Sequence, residues 1–150
     1  MMQVRELMKT HLVTTCPEAT LSQALDLMDL YRVMVLPVVD TRGRLLGLLR
    51  ERDIVADLAR AVSTSAMNVL AVEANSGRLD AVRAVGHRPV SELMHPIGLA
   101  PVETENLVDL IPALLAQDLE RVPVLDDSGR VVGTLERIDV CQAIFEGHDF

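Results

Sequence analysis

The chain is an ungapped internal duplication. Val4-Arg5-Glu6-Leu7-Met8 returns 86 residues later as Val90-Ser91-Glu92-Leu93-Met94. The same offset carries Leu21 to Leu107, Pro37 to Pro123, Val38 to Val124 and Asp40 to Asp126. It also carries Gly43 to Gly129, Gly47 to Gly133, Leu49 to Leu135 and Asp53 to Asp139. One such match arises by chance, but an ordered series does not. It implies two copies of one supersecondary unit, each too small to bury its apolar faces alone.

Each copy reads as β-α-β-β-α. A short extended piece comes first, Leu12–Thr15 and Gly98–Pro101. Leu21, Ala24, Leu25 and Met28, and in the second copy Leu107, Leu110, Ile111 and Leu114, then fall at helical spacing. Thr20 and Asn106 are the expected N-caps, and Pro112 is expected to kink the second of these helices. Two apolar runs follow, each pair joined by a polar, glycine-containing turn that predicts a hairpin. They are Met34–Val39 with Leu45–Leu49, and Val122–Leu125 with Val131–Leu135. Pro37 and Pro123 suit edge strands. A last helix carries Ile54, Val55, Leu58, Ala59 and Val62 in one copy and Ile138, Cys141, Ile144 and Phe145 in the other. Both stripes are expected to pack inward.

The predicted fold class is α+β, with two pseudo-twofold-related β-α-β-β-α repeats packed through their sheets. Repeat one is placed at 1–62, a linker at 63–89 and repeat two at 90–150. In the linker, Ser63-Thr64-Ser65 is polar, Asn75-Ser76-Gly77 reads as a turn and Arg78–Val85 as a short helix. With only Tyr31, Phe145 and Phe150 as aromatics, the core must be aliphatic. Met8, Met28, Met34 and Met94 are expected as gap-fillers, with Met8 and Met94 also placed to line a cleft.

Several functions are disfavoured. A net charge of -8 argues against nucleic acid and against an anionic membrane surface. No apolar run approaches the roughly 18 residues of a membrane span. Met1–His11 lacks the unbroken apolar stretch of a signal peptide, so a cytoplasmic location is expected. Cys16 and Cys141 read as reduced core thiols. His11, His87, His95 and His148 lack metal-ligand spacing. No nucleophile, base and orienting residue assemble, so no catalytic residue and no catalytic cofactor are expected.

Val4-Arg5-Glu6-Leu7-Met8, Ala24-Leu25-Asp26-Leu27-Met28, Leu36-Pro37-Val38-Val39-Asp40, Gly43-Arg44-Leu45-Leu46-Gly47 and Asp53-Ile54-Val55 resemble, in this order, the cystathionine-β-synthase-type (CBS) domain family. Val122-Pro123-Val124-Leu125-Asp126, Gly129-Arg130-Val131-Val132-Gly133 and Asp139-Val140 repeat the pattern, so the chain resembles the family's tandem, or Bateman, arrangement. The resemblance implies a homodimeric disc and an adenine nucleotide or other adenosyl ligand in the clefts between repeats. It also implies a regulated partner protein on another chain.

The family's nucleotide mark is a Thr or Ser three residues before an Asp, at a helix N-terminus. Such a box caps the helix and lets the Asp accept from ribose hydroxyls, beside free N–H groups that favour phosphate. Here the positions read Arg50-Glu51-Arg52-Asp53 and Glu136-Arg137-Ile138-Asp139. The Asp stands in both copies and the hydroxyl in neither. Arg50 is able to reach a phosphate; Glu136 repels one, which favours the cleft built by Asp53 and Arg50.

The resemblance assigns ligand contacts to Thr14, Thr15, Leu36, Pro37, Arg50 and Asp53, and to Pro101, Arg121, Val122, Pro123 and Asp139. Prolines and aliphatics would sandwich a base, and the Asp residues would hold ribose. Each residue also has a bland role. Asp53 and Asp139 suit the first turn of any helix. Arg32 and Arg121 suit surface ion pairs, and Glu51-Arg52 and Glu136-Arg137 suit solvated faces. The four repeated glycines suit turns and strand packing rather than a phosphate loop. The competing function is a degenerate pair without ligand, serving as a dimerisation or scaffold piece.

Overall fold

The computed structural model describes residues 1–67 and 74–150, and side chains outside 64–78. Its elements are α1 (Leu21–Tyr31), β1 (Val35–Val39), β2 (Leu45–Arg50), α2 (Glu51–Met67), α3 (Ala74–Val85), α4 (Leu107–Ala116), β3 (Arg121–Leu125), β4 (Val131–Glu136) and α5 (Arg137–Phe145), with 3-10 turns at Val4–Glu6 and Val90–Glu92. Every element of the first copy begins 86 residues before its counterpart, as the duplication requires. Mixed helix and strand, in two related halves that meet through their sheets, is the fold class expected.

Each hairpin is antiparallel, β1 with β2 and β3 with β4, with a bulge before the turn. The turns are built alike. Asp40 Oδ1 accepts from the backbone N–H of Arg42 (2.8 Å) and Arg44 (3.0 Å), and Asp126 Oδ1 from Ser128 (2.9 Å) and Arg130 (3.0 Å). Gly43 and Gly129 take φ of 80° and 86°, which a side chain disfavours.

The prolines are not on a bare edge. Thr15 N–H donates to Pro37 O (3.0 Å) and Val39 N–H to Thr15 O (2.9 Å), a short parallel contact on the far side of β1 that begins just past the missing proline N–H. In the second copy Pro101 stands at the place of Thr15, lacks the donor, and the bridge moves on to Val102 and Leu125. The extended pieces thus contribute single bridges rather than strands.

Two aliphatic cores lie under the two sheets. Leu21, Ala24, Met28, Leu36, Val38, Leu49 and Ile54 form the first; Leu107, Leu114, Val122, Val124, Leu135 and Val140 form the second. Val90 belongs to the first core and Val4 to the second. The repeats therefore exchange their leading segments. Val4 N–H donates to Glu105 O (2.9 Å) and Leu107 N–H to Met2 O (2.8 Å), while Val90 N–H donates to Ala19 O (2.8 Å) and Leu21 N–H to Arg88 O (2.9 Å). A third cluster, Leu45, Leu48 and Val131 with Val35, Val39 and Leu125, joins the repeats. Reciprocal bonds Leu45 N–H to Gly129 O (3.1 Å) and Val131 N–H to Gly43 O (3.0 Å) cross the same seam.

Several local expectations are corrected. Thr20 caps α1 in a box with Gln23, but the Asn106 side chain makes no cap on α4; the crossing segments serve both helices alike, at Leu21 and at Leu107. Pro112 is accommodated within a continuous α4. Helix α2 runs on through Ser63-Thr64-Ser65 to Met67, and α3 begins at Ala74, so Asn75-Ser76-Gly77 is helical rather than a turn.

Met34 is exposed, as is Cys16; Cys141 is half-buried. Neither cysteine is a core thiol. On α5 the buried residues are Val140 and Ala143, while Ile138 and Phe145 stand 69% and 87% exposed, so that stripe does not pack inward. Val55 and Val62 on α2 are exposed as well.

Candidate functional site

The exchange of leading segments builds the site. His95 pairs by backbone with Leu48 on β2 (2.7 and 3.0 Å), and Lys9 pairs with Thr134 on β4 (2.8 Å both ways). Close approach demands glycine beside them. A Cβ on Gly47 would lie 2.6 Å from His95 O, and one on Gly133 would lie 2.7 Å from Lys9 O and 2.8 Å from Met8 Sδ. Met8 and Met94 are thus packed against the repeated glycines.

Each segment delivers a basic side chain to an Asp in the first turn of the following helix. In the first copy Arg50 holds Asp53 in a fork, Nε to Oδ2 at 2.6 Å and Nη2 to Oδ1 at 3.1 Å. His95 Nε2 lies 3.0 Å from Asp53 Oδ2 and 2.9 Å from Arg50 Nη2. Partial burial pushes the Asp53 carboxyl up, but the Arg50 hydrogen bonds and the His95 and Arg50 charges outweigh it, and its pKa is lowered.

In the second copy Lys9 Nζ lies 3.2 Å from Glu136 Oε2 and 3.5 Å from Asp139 Oδ2. Its pKa is raised, chiefly by the hydrogen bond to Glu136. Arg121 also binds Glu136. Thr134, on the same face of β4 as Glu136, keeps a buried Oγ1 without a hydrogen-bond partner among the described residues.

Between the repeats lies a cavity of about 600 Å³. Its fourteen lining residues are seven pairs at the offset of 86, so it straddles the pseudo-twofold. Three pairs invert in charge: Arg32 with Asp118, Arg50 with Glu136, and Glu51 with Arg137. Arg52 Nη1 spans the cavity to Asp118 Oδ2 at 2.6 Å, and their mutual bond raises the Arg52 pKa and lowers that of Asp118.

Of the residues singled out in the sequence, Arg50 and Arg121 line this cavity. Asp53 and Asp139 sit behind its two helix starts, half-buried and ion-paired. Leu36 and Val122 are fully buried in the two cores, with Thr15, Pro37, Pro101 and Pro123 buried beside them and Thr14 half-buried. Glu136 and Arg137 are not solvated charges. Glu136 is 14% exposed between two cations, and Arg137 Nη1 donates to Gln117 O at 2.8 Å. Arg32 does pair on the surface, with Asp29 at 3.5 Å.

Lys9, His95, Arg52 and Asp118 were not singled out as site residues. Lys9 and His95 are related by the offset and follow Met8 and Met94 directly, which is the signal that would have found them. Among the described residues no group of three His, Cys, Asp or Glu is placed to hold a metal ion. None of the helices described is long and apolar enough to cross a membrane.

The family model described as CBS domain matches residues 4–60 and again 90–146. The chloroplastic CBS domain-containing protein CBSX1 of Arabidopsis thaliana is 30% identical over 136 residues, 87% of this chain and 58% of that protein. The chain thus spans somewhat over half the length of that relative. The crystal structure of the CBS-pair protein CBSX2 from Arabidopsis thaliana superposes with a TM-score of 0.71 at 26% identity, over 96% of this chain and 94% of that one. A structure of CBSX2 in complex with AMP gives 0.70 at 25% identity, over 96% of each chain.

Proposed function

Since the chain belongs to the CBS domain family, matched once in each repeat, we propose that it is a non-catalytic regulatory module that binds an adenosine-containing ligand between its repeats and signals to a partner protein. The observation that carries this reading is the cavity on the pseudo-twofold, with an Asp in the first turn of a helix on either side and Arg50 on its wall. The AMP held by CBSX2 supports an adenine nucleotide as the ligand class, with adenosylmethionine as the second candidate.

In this reading Asp53 and Asp139 accept from ribose hydroxyls, Arg50 meets phosphate, and the segments around Thr14-Thr15, Pro37, Pro101 and Pro123 hold the base. Leu36 and Val122 contribute backbone, since their side chains are in the cores. Arg121 serves phosphate only if released from Glu136. Binding exchanges partners: ribose takes up the carboxylates that Arg50, His95 and Lys9 now hold. Such an exchange favours one arrangement of the repeats over another, and a partner reads the difference.

Exposed Ile138, Phe145, Val55 and Val62 on α5 and α2 support a homodimer through these helices. A cytoplasmic location belongs to the same proposal.

A second reading has its own support. Both Asp residues are satisfied within the chain, and neither helix start carries a capping hydroxyl, as a ligand-free scaffold would have it. Thermal unfolding against AMP, ADP, ATP, adenosylmethionine and GTP separates the two. At about 100 times its Kd a ligand stabilises the fold by roughly 2.7 kcal/mol. Shifts with adenosyl compounds alone uphold the sensor; no shift with any, in folded and empty protein, upholds the scaffold.

A further inference from the structure

The two halves of the cavity differ by more than sequence drift in surface charge. On the first half the wall carries Arg50. On the second the corresponding wall residue is Glu136. The second half also has a cation on its wall that the first lacks, Arg121 in place of Val35, and Lys9, in place of His95, reaches Glu136 from outside the lining. Both are bound to the one carboxylate of Glu136, which is 14% exposed. Without that carboxylate, Arg121 would be free to meet an anion near the start of α5, with Lys9 left to Asp139 alone. With it, a phosphate entering there meets a half-buried negative charge and two cations already taken.

We propose that Glu136 is a specificity-determining residue that reserves the second half of the cavity for an adenosyl ligand without phosphate, while the first half takes the phosphorylated one. This rests on the adenosyl reading above. The two ends of the module then sense different molecules, although they are copies of one unit.

The test uses the full chain and two variants, Glu136→Gln and Glu136→Thr. The first keeps the size of the side chain, and the second supplies a hydroxyl that caps α5. Calorimetric titration with AMP, adenosine and pyrophosphate is made on each, after thermal unfolding has shown it folded. The wild-type chain is expected to take one AMP, and the variants two, with pyrophosphate affinity raised on the order of tenfold. Two equal AMP sites in the wild-type chain overturn the proposal. So does the absence of any gain in AMP or pyrophosphate binding in the folded variants. If no adenosyl compound binds but the variants gain pyrophosphate, Glu136 keeps its role and the adenosyl reading falls.

Discussion

Replacing Gly47 by alanine tests the crossing of segments that brings His95 to Asp53. Where the backbone and space allow, a glycine-to-alanine change stabilises by about 0.4–1 kcal/mol through the unfolded chain. Here the new Cβ would sit 2.6 Å from His95 O, where ordinary contact begins at 3.4 Å. The obstacle is a backbone oxygen, held by Leu48 N–H at 3.0 Å, with His95 N–H returning a bond to Leu48 O at 2.7 Å. It cannot swing aside as a side chain would. Overpacking of this kind costs about 1–3 kcal/mol, and loosening two backbone bonds adds about 1 kcal/mol each. A net loss of about 3 kcal/mol is expected. Equilibrium urea unfolding reads it as a midpoint lowered by about 1 M or more, given a slope of roughly 1–3 kcal/mol per molar. A second readout is the His95 amide, whose hydrogen exchange should quicken more than that of Val38 in the core. An alanine variant as stable as the wild-type chain would refute the close approach, and with it the placement of His95.

In the adenosyl reading, Asp53→Ala should weaken AMP binding more than Asp139→Ala, because Asp53 is bonded to an arginine of the cavity wall and Asp139 to Lys9 instead; calorimetry showing equal effects would remove the asymmetry. The Asp53 carboxyl is held below its ordinary value of 3.8 by Arg50 and His95 despite burial, so its contribution is present above that value and lost as the pH falls through the lower folded one. Asp53→Asn should therefore destabilise the chain at pH 7 and converge with the wild type in acid; a constant gap across the series of urea titrations would contradict the ion-pair account. Phe145→Ser should leave the fold intact and lower the mass measured by light scattering from dimer to monomer; an unchanged dimer would move the interface away from α5.

The duplication made the element order legible, since one offset aligns the start of every strand and of every helix but α3. It also hid something. Matching residue to residue along the chain assigns Val4 to the first copy and Val90 to the second, yet each packs in the other's core. Nothing local distinguishes a segment that stays from one that crosses, because apolar burial is equally good in either half. Helix faces were misread for a related reason. Ile138 and Phe145 have helical spacing and strong hydropathy, but the buried face of α5 is the one that carries Val140 and Ala143. At the site, Asp53 and Asp139 were found by pattern, but Lys9 and His95 reach them only through the crossing.

The exchanged segments also bear on synthesis. Residues leave the ribosome in order, so the Val4 segment emerges well before Leu107, Val122 and Leu135 exist to receive it. The first core closes only once Val90 has been made, and until then its helices present open apolar surface. Neither half reaches its final packing without a stretch of the other, so the nascent chain carries unsatisfied surface for most of its length and settles late, as one cooperative unit. A sequence duplicated end to end is thereby prevented from folding as two independent beads.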